Sequence, residues 1–180
     1  MSNELLLLLN LLLLYAMVLA AYKFFGVKGL LCWTVLATIA ANIEVMILVN
    51  AFGREQTLGN ILFATTFIVT DILSEVKGKR QANQAVNIGI FVSLAFVIIS
   101  QFWLLFTPSP DDVAFVHIQA VFSNTPRIML TGLLVYAIVQ RFDVWAYHKF
   151  WELTFAKTGE RRPYLWLRNN AATLLSQLLN

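Results

Sequence analysis

Apolar residues come in runs of about twenty along this chain, with short polar breaks between them. The runs are too apolar and too long for solvent-facing helices, so each reads as a helix able to cross a bilayer. The first is about Leu5–Phe25. A Gly26–Gly29 turn with Lys28 follows, then a second run at about Leu30–Phe52 and a third at about Leu58–Val76. After the basic segment Lys77, Gly78, Lys79 and Arg80, no charge occurs from Gln81 to Pro110, and the fourth run lies at about Val86–Phe106. The proline-rich stretch Thr107–Asp112 is a loop by composition. Ala114–Phe122 is too short to cross and either lies at the interface or extends the next helix. Ser123 or Asn124, with Pro126, marks a helix start, and the fifth run is about Pro126–Tyr147. A polar segment, His148–Arg168, follows. Asn169–Asn180 then opens another helix inside which the sequence ends, so further spans beyond Asn180 are expected. The expected fold is all-α: a polytopic transmembrane helical bundle forming one membrane domain over 1–180, with five full spans and the start of a sixth.

Composition supports this. The chain is 59% hydrophobic and 13% charged, against about 45–50% and 25% for soluble domains. The N-terminus has no basic leader, Glu4 being its only charge ahead of the leucine run, so the run reads as a retained span and not a signal peptide. Loop charge sets an orientation. Lys23, at the end of span one, and Lys28 belong to the turn between spans one and two, Arg54 and Glu55 cancel after span two, and three basic residues follow span three. Asp111 and Asp112 follow span four, and the segment after span five is basic. Loops after odd spans are therefore cytoplasmic and the N-terminus is outside. The net charge of +3 is clustered between apolar runs, so no direct nucleic-acid binding is expected.

Six polar side chains fall inside the apolar runs: Asn42, Glu44, Asp71, Glu75, Gln101 and Arg127. Four are formally charged. A charge in hydrocarbon costs several kcal/mol unless it faces a partner, a substrate or water. A transporter or channel therefore fits better than an inert anchor. Asp71 and Glu75 are four residues apart and share a helical face, where they could bind a cation, hold a proton or accept hydrogen bonds from a polar ligand. Alternatively, Glu75 reaches the interface and pairs with Lys79. Glu44 has a short stem and Asn42 faces another side. Arg127 either snorkels at the outer end of span five or pairs with a buried carboxylate or ligand. Gln101 serves equally as interhelical glue. Asn83 and Asn87 share a face at the start of span four. Cys32 is a packing residue, and His117 and His148 have no metal-ligand spacing, so no metal, cofactor or catalytic residue is expected, and no enzyme.

These residues also carry a resemblance. The stretch Thr70-Asp71-Ile72-Leu73-Ser74-Glu75-Val76-Lys77-Gly78-Lys79-Arg80-Gln81-Ala82 resembles the signature TDxxxEvxGkxxA of the vitamin-uptake-like family of queuosine precursor transporters. A second block, from Thr125-Pro126-Arg127-Ile128 to Gln140-Arg141-Phe142-Asp143-Val144, is similar to that family's next signature. A third runs from Trp166-Leu167-Arg168-Asn169-Asn170 through Thr173, Ser176 and Gln177 to Asn180. The resemblance implies uptake of a 7-deazaguanine-type base across the cytoplasmic (inner) membrane by a multi-pass protein, feeding tRNA modification. It implies site positions at Asp71, Glu75, Arg127, Gln140 and Asp143, with Asn180 where the family commonly has Asp. The N-terminus holds one more span than the simplest family members. The expected partners are a small-molecule substrate and the lipid bilayer. Proton coupling stands beside facilitated diffusion, and a homo-oligomer remains open. The leading function is a secondary transporter, with Asp71, Glu75, Arg127, Gln140, Asn42, Glu44, Gln101 and Asn180 as substrate-site candidates. The alternatives are a substrate-binding membrane subunit of a multi-component importer and a structural membrane protein.

Overall fold

A computed structural model describes residues 2–123, 125–158 and 165–178. In chain order the elements are α1 (Asn3–Glu44), β1 (Leu48–Ala51), β2 (Arg54–Thr57), α2 (Gly59–Lys77), α3 (Lys79–Trp103), α4 (Phe115–Phe122), α5 (Thr125–Thr158) and α6 (Leu165–Gln177). The architecture is an α-helical bundle with one short hairpin. Among the described residues, four helices are long and apolar enough to cross a membrane: α1, α2, α3 and the 126–155 part of α5.

α1 is folded double. A straight helix of its 42 residues would be about 63 Å long at 1.5 Å per residue. Yet Asn3 Nδ2 donates to Asn50 O at 2.9 Å and Phe52 N donates to Glu4 Oε1 at 3.1 Å, just past the helix's far end. The reversal is at Gly26, whose φ of 61° and ψ of −141° leave the helical region at no steric cost for glycine. Gly29 then lies against the backbone carbonyl of Ala21, so close that a Cβ would collide with it. Two antiparallel arms result, 3–25 and 27–44, with the reversal inside the expected Gly26–Gly29 turn.

The second apolar run was expected to stay helical to Phe52. The helix instead ends at Glu44, and Leu48–Ala51 pairs antiparallel with Arg54–Thr57. The two loop residues, Phe52 (φ 54°) and Gly53 (φ 71°), both adopt positive φ, the backbone of a tight two-residue hairpin turn. The polar run Arg54–Gln56 disfavours continuing a lipid-facing helix, and the hairpin satisfies its backbone groups. Span three matches α2 to within a residue or so at each end. The fourth helix starts earlier than Val86 and stops at Trp103, short of Phe106. The fifth runs on past Tyr147 to Thr158, so the segment expected to be polar linker from His148 begins as helix. Ala114–Phe122 is neither an extension nor a span. It contains the separate helix α4, whose first free N–H groups, Ala114 N and Phe115 N, donate to Asp112 Oδ1 at 2.7 and 2.8 Å.

The core sits where α1, α2, α3 and α5 converge: Val18, Leu30, Trp33 and Ala37 from α1, Val69 and Leu73 from α2, Ala82, Ala85 and Val86 from α3, and Val144 from α5. Small residues on α3 let the helices approach, and Trp33 Nε1 donates to Thr65 Oγ1 at 3.0 Å across α1 and α2. Gly78 (φ 83°) ends α2 and starts α3, turning the chain back. The outward faces are leucine, isoleucine and phenylalanine, including Leu12, Phe24, Phe91 and Leu134. Such a surface suits lipid and not water.

Candidate functional site

Helices α2 and α5 meet along two polar stripes. On α2, Thr66, Thr70 and Ser74 recur at a spacing of four, as do Asp71 and Glu75 beside them. On α5, Gln140, Asp143 and Tyr147 recur at three and four. Both spacings put the side chains on one helical face. Partners rise together along the two helices, so α2 and α5 run parallel, with α3 returning between them.

At one level Gln140, fully buried, donates from Nε2 to Thr66 Oγ1 at 2.5 Å, and the Thr70 hydroxyl lies 3.4 Å from Gln140 Oε1. At the next level, between the Gln140–Thr66 and Tyr147–Glu75 contacts, are Asp71 and Asp143. Asp143 is 0% exposed, and Ser176 Oγ of α6 donates to its Oδ1 at 2.8 Å. Asp71 Oδ1 and Asp143 Oδ2 are buried with no hydrogen-bond partner among the described residues. At the third level, Tyr147 OH donates to Glu75 Oε2 at 2.6 Å, and Arg168 of α6 forms an ion pair with the same oxygen at 3.2 Å. The Arg168 guanidinium lies 4.8 Å over the Trp151 ring, which stacks on His148. Arg168 is fully buried, so its stem, its cation–π contact and its ion pair replace solvent together.

α6 runs antiparallel to α5, with Arg168 at the level of Glu75 and Ser176 at the level of Asp143. A cavity of about 430 Å³ opens between α2, α5 and α6, lined by Ile68, Asp71, Ile72, Glu75, Val76, Tyr147, Leu165, Trp166, Asn169 and Asn170. This falls within the range of small-molecule sites, with apolar walls and a few convergent polar groups. A second cavity of about 660 Å³ adjoins it past Glu75, lined by Ser74, Lys77, Lys79, His148, Trp151 and Glu152 among others. The arrangement can take a planar polar solute: carboxylate oxygens accept donors, side-chain amides donate or accept, and aromatic rings flank.

The sequence candidates separate into groups. Asp71 and Glu75 line the cavity, and Gln140 lies on the same seam about one turn from Asp143. Arg127 is elsewhere: it is exposed in the first turn of α5, beside a separate surface cavity with Ser123 and Thr131. Sixteen residues separate it from Asp143, about 24 Å of helix, so it does not stand opposite the carboxylates. The cation that does is Arg168. Glu75 pairs with Arg168 and not with Lys79, because Gly78 breaks the helix between them. Asn42 joins α1 to α3, donating to Thr38 O at 2.8 Å and to Ser93 Oγ at 3.1 Å. Glu44 ends α1 beside a leucine-lined cavity with Asn3 and Asn10. Gln101 donates to Phe122 O at 3.1 Å and ties α3 to α4. Asn87 sits on the outer side and accepts from Arg141 at 3.1 Å. Asn180 lies outside the described residues.

Residue-by-residue reading missed Arg168, Tyr147, Ser176 and Trp151. Tyr147 was within reach, four residues after Asp143 on the same face. Arg168 offered a weaker signal, a lone cation at the start of an apolar final helix.

A family model described as "Putative vitamin uptake transporter" matches residues 57–180. The whole α2–α5–α6 site falls inside that match. A curated protein of Bacillus subtilis (strain 168), named "Probable queuosine precursor transporter", is 35% identical over 166 residues, which cover 92% of this chain and 70% of that protein. No solved structure matches.

Proposed function

The chain belongs to the vitamin-uptake and queuosine-precursor transporter family, and from that premise we propose that it carries a 7-deazaguanine-type queuosine precursor inward across the cytoplasmic membrane as a secondary transporter. The observation that carries this reading is Asp71: a buried carboxylate on a cavity of about 430 Å³, with an acceptor oxygen that has no partner among the described residues. A deazaguanine presents N1–H and a 2-amino group as parallel donors, which one carboxylate accepts together. Its O6 takes a donor amide such as that of Asn169. Its flat face suits Trp166 or Tyr147, as aromatic platforms suit bases elsewhere. Glu75 is held by Tyr147 and Arg168, so it shapes the mouth of the cavity and leaves Asp71 as the ligand's acceptor.

The basic residues Lys77, Lys79 and Arg80 beside this cavity support an orientation with the cavity toward the cytoplasmic end, α1 crossing twice and its N-terminus outside. The test is uptake of labelled 7-deazaguanine-type base into cells unable to make it. Asp71→Asn keeps size but turns one acceptor oxygen into a donor amide, leaving ligand donors unpaired at about 1–3 kcal/mol each. Uptake is expected to fall at least ~10-fold, since 1.4 kcal/mol is already a factor of ten. Near-wild-type uptake by Asp71→Asn, at normal membrane levels, removes Asp71 from the site.

A further inference from the structure

The opposite end of the bundle holds a cavity that the transport reading does not use. It has a volume of about 510 Å³ and lies between the first arm of α1, the end of the second arm, β1 and the residue before α2. All of its lining but Leu58 precedes residue 57, where the family match begins. Leu6, Leu9, Leu13 and Leu58 make its walls apolar, and Asn10 and Glu44 are polar groups within it. Leu6, Asn10 and Leu13 follow one another at four and three residues, so one stripe of the first arm faces the cavity. Leu6, Leu9 and Leu13 are 45%, 47% and 59% exposed, so the cavity opens on the surface that meets lipid.

Glu44 is the last residue of α1, where the free carbonyls of the final turn concentrate partial negative charge. A carboxylate is disfavoured there, and a basic residue in the last turn would relieve it, but α1 has none. Glu44 Oε2 is buried with no hydrogen-bond partner among the described residues. Among the described residues no Lys, Arg or His lines the cavity. Glu4, at the same end, is already held by Phe52 N at 3.1 Å. Negative charge therefore converges on an apolar cavity with no cation to answer it. A cation with an apolar body satisfies both features. A bare metal ion does not. Hard cations take about six or more oxygen ligands, whereas leucine dominates this lining, and the described residues hold no cluster of His, Cys, Asp and Glu able to bind a metal.

We propose that this cavity binds a phospholipid with a primary ammonium headgroup, its N–H donors on Glu44 and an acyl chain along Leu6, Leu9 and Leu13. The depth suits such a ligand. α1 begins at Asn3 and ends at Glu44, Asn3 Nδ2 donates to Asn50 O at 2.9 Å, and the hairpin charges Arg54 and Glu55 lie at this end. Glu44 thus stands at headgroup level, while the leucine stripe runs about 10 Å from Leu6 to Leu13 into hydrocarbon. Asn10 offers an amide N–H to an ester oxygen of the same lipid. Headgroup choice follows from the chemistry. A trimethylammonium group carries the charge but has no N–H for the carboxylate. An anionic headgroup brings a second negative charge that nothing in the lining neutralises. The bound lipid ties the first arm of α1 to the hairpin and to the start of α2.

The experiment uses the full chain, delipidated in neutral detergent and mixed with palmitoyl-oleoyl phosphatidylethanolamine, phosphatidylcholine or phosphatidylglycerol, or with ethanolamine alone. Melting is followed by tryptophan fluorescence, because a ligand of the folded state raises the melting temperature with its concentration. Phosphatidylethanolamine should act at a concentration at least ~10-fold below phosphatidylcholine, as one charge-assisted hydrogen bond implies. Ethanolamine alone, at the same concentrations, should leave melting unchanged. Glu44→Gln keeps size and removes the charge, and should erase the preference for ethanolamine over choline headgroups. Equal action of the two lipids on wild type, stronger action of phosphatidylglycerol, an equal response to ethanolamine alone, or a Glu44→Gln variant that keeps the preference each overturns the proposal. Displacement of the lipid by 7-deazaguanine would assign the cavity to the base and overturn it too. A second measurement does not depend on Glu44→Gln folding. Native mass spectra of wild type from an equimolar lipid mixture should retain phosphatidylethanolamine in excess. Leu13→Trp, at an exposed position, fills the apolar wall and should lose that excess. Retention unchanged by Leu13→Trp puts the lipid elsewhere and overturns the site.

Discussion

Removing Arg168 tests whether the Glu75–Arg168 pair holds α6 on the bundle. Arg168→Met keeps the stem and the apolar contact with Trp151 but deletes the cation. At 3.2 Å and an effective dielectric of about 20, the gross attraction is about 5 kcal/mol. Stripping one partner from a buried pair costs about 3–5 kcal/mol. Two features reduce that here: the Glu75 side chain is 31% exposed, and it keeps the hydroxyl of Tyr147. The net expectation is about 2–3 kcal/mol. For a chain of this size 1 kcal/mol moves the melting temperature by about 2–4 °C, so Arg168→Met should melt about 4–12 °C lower. The assay is thermal unfolding in detergent followed by tryptophan fluorescence, with Trp151 reporting from beneath the guanidinium. Glu75→Gln in the same background leaves no stranded charge, so the double variant should recover several degrees. Adjacent partners are expected to couple by about 0.5–3 kcal/mol. If the fall in the double variant equals the sum of the two single falls, the pair is not a direct energetic unit and the reasoning fails.

Other outcomes follow from the same geometry. Gly29→Ala puts a Cβ against the Ala21 carbonyl where the two arms of α1 cross, and overpacking of this kind costs about 1–3 kcal/mol. The variant should melt several degrees lower, whereas unchanged melting would mean that the arms do not pack there. Reporter fusions after Gly53, Lys79 and Asp111 should report outside, inside and outside. Two successive sites on one side would sink the double crossing of α1.

Much of the bundle was legible because lipid imposes a coarse rule: a crossing helix must be apolar for about twenty residues. The reversal at Gly26 fell within the expected turn because glycine is the residue free to leave the helix at positive φ. The hairpin at Leu48–Thr57 was not legible, since Leu48, Val49 and Ala51 continue the apolar run and only the Phe52–Gly53 turn distinguishes strand from helix. The end of α5 was missed for the converse reason. His148–Thr158 is polar enough to resemble a linker, but its His148, Trp151 and Phe155 form one wall of a cavity.

The sequence by itself determined that this is an all-α membrane bundle of the transporter family, and that Asp71 and Glu75 share a face, because hydropathy, helical spacing and signature blocks are local properties of the chain. Only the tertiary structure decided what meets that face. Arg127, the expected cation, is about 24 Å along α5 from Asp143, while Arg168, about ninety positions after Glu75 in sequence, closes on it at 3.2 Å. The choice between the two cations depends on where α6 packs and in which direction it runs. Those are set by side chains on three helices together, and no single segment encodes them.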